Sequence, residues 1–292
     1  FGPCCNRTTA ALYDGDKVYF GGCDDIAACA FAEYDPVTGE SEWITGEYSA
    51  GFPGRGPVID FALDGDYIFL ATEAGLHRYD RKSEVWLLAT ARGAISPTGI
   101  SALAKLRDTL YIAADDGLYS MPLATLRPTR INSAGTGRFN SVDSSGGKVF
   151  AAGFYGAWAI SGTSAVRYDP PDLTGFVRCM APDGDGGFVF GSRNGVHLLS
   201  REGNARSLSA TIWFDGRPPN DLAVTGKYLW YATDRGLYLY NRTLRTSRFL
   251  GEQYYLPKTP INRIEPMGDF LWLLTDHGAY RFFWNEPDSP GF

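Results

Sequence analysis

Long apolar runs are missing from this 292-residue chain. No stretch approaches the roughly 18 residues that a membrane-crossing helix needs, which excludes direct membrane insertion by that route. Basic runs are missing too: 27 Lys and Arg face 33 Asp and Glu, for a net charge of −6. That balance is no nucleic-acid footprint and offers nothing to an anionic membrane surface. Histidine is scarce, three in all, so a histidine-based metal centre would need nearly all of them to converge. Gly-x-Ser-x-Gly, His-Glu-x-x-His, P-loop and haem-attachment patterns are absent. The sequence therefore nominates no catalytic residue, no cofactor and no metal. The opening FGPCCNRTTA has neither the charged nor the apolar segment of a secretory leader, and the expectation is of a soluble chain from which any leader has gone.

Cysteine is sparse and lopsided. Cys4, Cys5, Cys23 and Cys29 crowd the first tenth, and Cys179 stands alone. An even cluster of this kind reads as two disulfides with three pairings open, which favours an oxidising compartment. A thiolate metal site is the competing reading, but a vicinal pair followed by Cys-x5-Cys fits zinc spacing poorly. Cys179 lies in an apolar strand pattern and reads as a buried, inert thiol.

What the chain has in quantity is apolar and aromatic side chains, 44% and 14% of the total, enough for a large core. They recur in a fixed pattern. A Gly/Asp turn precedes an apolar pair at Val18-Tyr19, Ile68-Phe69, Leu110-Tyr111, Val149-Phe150, Val189-Phe190, Leu229-Trp230 and Leu271-Trp272, with spacings of 50, 42, 39, 40, 40 and 42. The second member is aromatic every time. A glycine follows five or six residues later (Gly75, Gly117, Gly156, Gly195, Gly236, Gly278), then an aliphatic residue and a ring. This alternation is a strand signal, and the polar turns on either side give four short antiparallel strands per unit with almost no helix.

Four-stranded units at a period of about 40 residues predict an all-β fold, a seven-bladed β-propeller, since each blade can bury its faces only against its neighbours. A β-solenoid competes less well, because its coils are shorter and need caps. One domain is expected over residues 1–292, with blades at about 8–47, 57–90, 98–131, 138–170, 173–209, 218–250 and 260–292. Only PDSPGF remains for the last outer strand. The N-terminal FGPCC is expected to supply it and to place the cysteines at the seam; the alternative is a chain cut from a longer protein.

The stretch NDLAVTGKYLWYATDRGLYLYNRTLRTSRF (220–249) resembles the two-component-regulator propeller repeat, with its Asn-x-aliphatic, LWxxT and GLxxY elements. INRI and FLWLLTDHGAYRF in blade 7 and YIFLATEAGLHRYD in blade 2 are similar, and the Asn recurs as Asn140, Asn220 and Asn262, with Ser101 in blade 3. The resemblance spans about residues 8–283 and implies an extracytoplasmic input-type module that binds glycans. The second ring, sandwich domain, membrane helix and kinase of such sensors have no counterpart in the sequence.

Positions filled alike in every blade are packing or turn positions. His77 and His197 occupy a slot held elsewhere by Tyr or Trp, so both read as wedged rings. The Asp-Gly-Asp triplets at 14–16, 64–66 and 183–185 read as hairpin turns rather than calcium loops. Specificity is expected in the unequal connections between blades, which share one face with the turns between second and third strands. They bring Trp213, Phe214, Arg217, Tyr254 and Tyr255 together, with Phe154, Tyr155, His277, Arg55 and Arg138 on the same face. Aromatics beside arginine suit a glycan or a protein partner. Asn6 and Asn241 head acceptor triplets for glycosylation, the second in a turn expected to be exposed. The leading expectation is a non-catalytic extracytoplasmic binding or scaffold propeller, one component of a larger surface or secreted assembly. The alternative is a polysaccharide lyase or hydrolase at the central channel, which converging carboxylates there would favour.

Overall fold

The computed structural model describes residues 7–23, 29–44, 56–91, 94, 97–170, 173, 175–256 and 258–284. Within them the chain forms seven antiparallel sheets, each ordered from a first, innermost strand to a last, outermost one. Six have four strands; blade 7 has three among the described residues. The segments expected to complete it, 1–6 and 285–292, lie outside the described residues. The innermost strands are Arg7–Tyr13, Val58–Asp64, Ile100–Leu106, Phe139–Ser145, Val177–Pro182, Asp221–Thr225 and Ile261–Met267.

There is no single core. Seven apolar clusters each join one blade to the next, and the last joins Phe20 and Ala32 of blade 1 to Trp272 and Leu274 of blade 7. The aromatic that recurs in every blade explains this: Tyr19, Phe69, Tyr111, Phe150, Phe190, Trp230 and Trp272 are all buried. Phe20 meets Trp272 edge-on at 4.8 Å between ring centroids. Such ring pairs add to the area each interface removes from water.

The repeated glycine is equally structural. Gly195 and Gly236 adopt φ of 130° and 141° at the hairpin exit, a region other residues rarely enter. At Gly195 a Cβ would also overlap the Leu208 carbonyl oxygen. A Ser or Thr three residues earlier bonds this turn. Thr233 Oγ1 donates to the Gly236 carbonyl at 2.9 Å and accepts from the Arg235 N–H at 3.2 Å. Thr275 does the same in blade 7, at 2.8 and 3.0 Å.

Candidate functional site

All seven innermost strands begin on the face that carries the blade-to-blade connections. In six blades the strand opens with a β-bulge, at Thr9, Ile59, Ser101, Asn140, Arg178 and Asn262. A bulge re-aims its side chain, here toward the next blade. Asn140 Nδ2 donates to the Val177 carbonyl and Asn220 Nδ2 to the Ile261 carbonyl, both at 3.1 Å. Thr9 and Ser101 donate in the same way to the Val58 and Phe139 carbonyls. Asn140 and Asn220 are thus stitches between blades around the channel mouth, whereas Asn262 Nδ2 donates to Asp276 of its own blade at 3.1 Å.

The expected cluster at 208–220 and 250–260 is mostly packing. Phe214 is fully buried and stacks on Tyr231 at 3.9 Å, nearly parallel, so it belongs to the core and not to a contact surface. The glycine turn that follows it folds the segment back and carries the ring inward. Trp213 leans edge-on against Tyr240 at 5.2 Å. Tyr254 joins the cluster between blades 6 and 7 with Arg248 5.7 Å from its ring centre. Arg217 is half-buried and bonds both carboxylate oxygens of Asp234, at 3.0 and 3.2 Å. Tyr255 alone stands out, 97% exposed. His277 is exposed in its turn, where its own N–H bonds Thr275. Arg55 lies outside the described residues.

Blades 4 and 5 present something different. Phe154 and Tyr155 form the turn between the second and third strands of blade 4 and are 58% and 55% exposed. Phe176, just ahead of the innermost strand of blade 5, is 44% exposed and 6.1 Å from Phe154 between ring centroids. The Phe154 N–H donates to the Arg138 carbonyl at 3.2 Å, which fixes Arg138 beside the rings. The Arg138 guanidinium is solvent-exposed and pairs with Asp115 at 3.1 Å. Phe176 was not among the expected residues, because only the fold shows that it meets Phe154.

The channel is the second feature that pattern reasoning missed. It encloses about 530 Å³. Arg263 of blade 7 reaches past blade 1, where Ala10 and Ala11 are small, to blade 2. There it bonds Asp60 at 2.6 Å and the Ile59 carbonyl at 3.2 Å, while its Nε bonds Glu265 at 2.7 Å. Asp60 also accepts the Leu103 N–H at 2.7 Å, and Asp221 accepts the Ile264 N–H at 2.9 Å, each from the following blade. Among the described residues Asp143 accepts its neighbour's N–H alone, from Ser144 at 2.6 Å. Burial pushes the Asp143 carboxyl up to about 7, helped by the Asp60 and Asp221 charges. Burial likewise raises Asp221 to about 6 and raises Glu265, with Arg263 opposing in both cases. For Arg263 burial works against the charge, but Asp60, Glu265 and Asp221 outweigh it. No group of three or more His, Cys, Asp or Glu among the described residues is arranged to hold a metal ion.

The remaining expectations divide. Asn241 is buried, and its Oδ1 accepts the Thr243 and Leu244 N–H groups, both at 3.0 Å. Its Nδ2, the atom a glycan would need, is enclosed as well. The turn is exposed but its acceptor asparagine is not, which corrects the reading of a sterically easy site. Asn6, Cys4 and Cys5 lie outside the described residues. Cys23 is buried, with its Cα opposite that of Cys29 across paired strands. Burial raises the Cys179 thiol well above its ordinary range, as an inert thiol requires. His197 is wedged as expected, between the Tyr168 hydroxyl at 3.3 Å and Ser207 at 3.0 Å. Asp14 and Asp183 cap their own hairpins.

The sequence matches no family model, and no curated protein resembles it significantly. Solved structures do match. The extracellular domain of the putative one-component system BT4673 of B. thetaiotaomicron superposes with a TM-score of 0.76 at 16% identity, covering 94% of this chain and 38% of that one. The extracellular domain of the putative hybrid two-component system BT3049 of the same organism gives 0.73 at 16%, covering 96% and 40%. Virginiamycin B lyase of Staphylococcus aureus gives 0.73 at 10%, covering 94% and 93%. The chain spans about two fifths of the length of the two sensor domains. At these identities the likeness shows the propeller fold and nothing finer.

Proposed function

We propose that this chain is an extracytoplasmic, non-catalytic binding propeller that recognises a glycan or protein partner through its loop-rich face, as one part of a larger surface or secreted assembly. One observation carries the reading: Phe154, Tyr155 and Phe176 remain exposed together at the mouth of the ring, with Phe154 5.1 Å from Tyr155 and 6.1 Å from Phe176 between ring centroids. Exposed aromatics clustered on a rigid scaffold are unfavourable unless something covers them. The likeness to extracellular sensor domains supports the location. No helix among the described residues is long and apolar enough to cross a membrane.

The test is a glycan array and a pull-down with wild type against Phe154→Ala/Tyr155→Ala. Loss of hits in the variant, with an unchanged melting temperature, supports the reading; full retention of every hit overturns it. A second reading, a polysaccharide lyase or hydrolase at the channel, is favoured by the convergence of Asp60, Asp143, Asp221 and Glu265 on Arg263. Two of those carboxylates are already committed to inter-blade N–H groups. Release of unsaturated or reducing ends from a bound glycan, abolished in Asp143→Asn, would establish that reading instead.

A further inference from the structure

The turn between second and third strands can be compared in six blades. Its first residue directly follows the one opposite the start of the innermost strand: Thr72 opposite Val58, Ala114 opposite Ile100, Gly153 opposite Phe139, Ser192 opposite Val177 and Thr275 opposite Ile261. Blade 6 reaches the same point after Thr233, which closes its hairpin onto Gly236. That first residue is Glu73, Asp115, Asp234 and Asp276 in blades 2, 3, 6 and 7. In blades 4 and 5 it is Phe154 and Arg193. Among the six compared blades the mouth therefore carries a rim of carboxylates with one gap.

The gap is filled by cations and rings. Arg193 is exposed at the rim, and Arg178 is exposed at the bulge of blade 5, bonded only to the Asn220 side-chain oxygen at 3.3 Å. Neither has a carboxylate partner among the described residues. Arg138, Arg217 and Arg7 by contrast pair with Asp115, Asp234 and Asp276, and the exposed Arg235 directly follows Asp234 in the blade 6 turn. In a chain with a net charge of −6, two unpaired guanidiniums beside three exposed aromatics form a local exception. We infer that the blade 4–5 sector binds an acidic polysaccharide, with sugar rings on Phe154, Tyr155 and Phe176 and carboxylate or sulfate groups on Arg178 and Arg193. This rests on the binding reading of the same face. The guanidinium fork matches such planar or tetrahedral oxyanions. A neutral ligand would leave two desolvated charges without partners, which is costly.

The experiment measures binding to immobilised heparin and polygalacturonate, with dextran and mannan as neutral probes, over a series of salt concentrations. Wild type is compared with Arg178→Gln/Arg193→Gln, and with Lys82→Gln/Arg201→Gln, which removes the same charge from exposed turns on the opposite face. Melting curves report folding of each. The expected result is binding to the acidic probes only, weakened by salt. The rim pair should lose at least about tenfold in affinity and much of the salt dependence, while the opposite-face pair stays within about twofold. Equal binding of dextran or mannan, or unchanged acidic binding in the rim pair, overturns the inference while leaving a binding face. Binding of no glycan overturns the inference too, and capture of a protein in the pull-down would then separate its failure from that of the binding reading.

Discussion

At the scale of single residues, the unusual chemistry is held by Asp143. A carboxyl near 7 in the fold, against 3.8 ordinarily, binds its proton more tightly folded than unfolded. Its contribution to stability is therefore complete below about pH 4 and is lost as the pH rises toward 7. Asp143→Asn keeps an oxygen for the Ser144 N–H and removes the charge. Denaturant titrations should find the variant more stable than wild type by about 2 kcal/mol at pH 8 and nearly equal at pH 4. A variant equally destabilised at both values would show a packing role instead. Asn241 makes a second residue-scale case. Asn241→Ala removes the acceptor for two N–H groups and should cost about 1–2 kcal/mol in a urea titration. In a glycosylating host the intact Asn241 peptide should carry no added sugar mass. The sequence triplet could not reveal this, because accessibility depends on which way the turn's first residue points.

At the scale of elements, the blade repeat was readable because strand period, turn glycine and packing aromatic all obey one local rule. Gly236, Leu237, Tyr238 and Tyr240 could be identified as structural from their copies alone. The connections have no copies, so no repeat separates their packing residues from their exposed ones. Trp213 and Phe214 look like any exposed loop pair in sequence, but the turn at 210–213 and the glycine after it send Phe214 onto Tyr231. Phe214→Ala should cost about 3–5 kcal/mol through the cavity it leaves, whereas Tyr255→Ala should change stability by less than about 0.5 kcal/mol. Urea midpoints of the two variants separate these roles. Arg263 was equally hidden, since Asp60 and the Ile59 carbonyl lie more than 200 positions away. Arg263→Met strands Asp60 and Glu265 and should lose about 3 kcal/mol. That loss should be largest at neutral pH and smaller at pH 4, where Glu265, raised by burial, takes a proton.

At the scale of the whole molecule, seven interfaces of similar design make a rigid ring whose individuality lies at its mouth. Periodicity predicts the ring but is silent on its asymmetry, because the asymmetry consists of departures from the repeat. Phe154 and Arg193 stand where four other blades place an acid, and Phe176 completes the sector from a different blade. Of the residues expected on this face, Phe154, Tyr155 and Arg138 come together, Trp213, Phe214 and Tyr254 serve packing, and Tyr255 and His277 stand apart. The most direct measurement is hydrogen exchange across the chain with and without a partner or glycan found by screening. Protection should concentrate in peptides covering 137–140, 153–156, 175–179 and 192–195, with the turns at 200–204 and 241–245 on the opposite face unchanged. Protection confined to that opposite face, or to peptides around Asp60 and Arg263 in the channel, would contradict a binding face at blades 4 and 5.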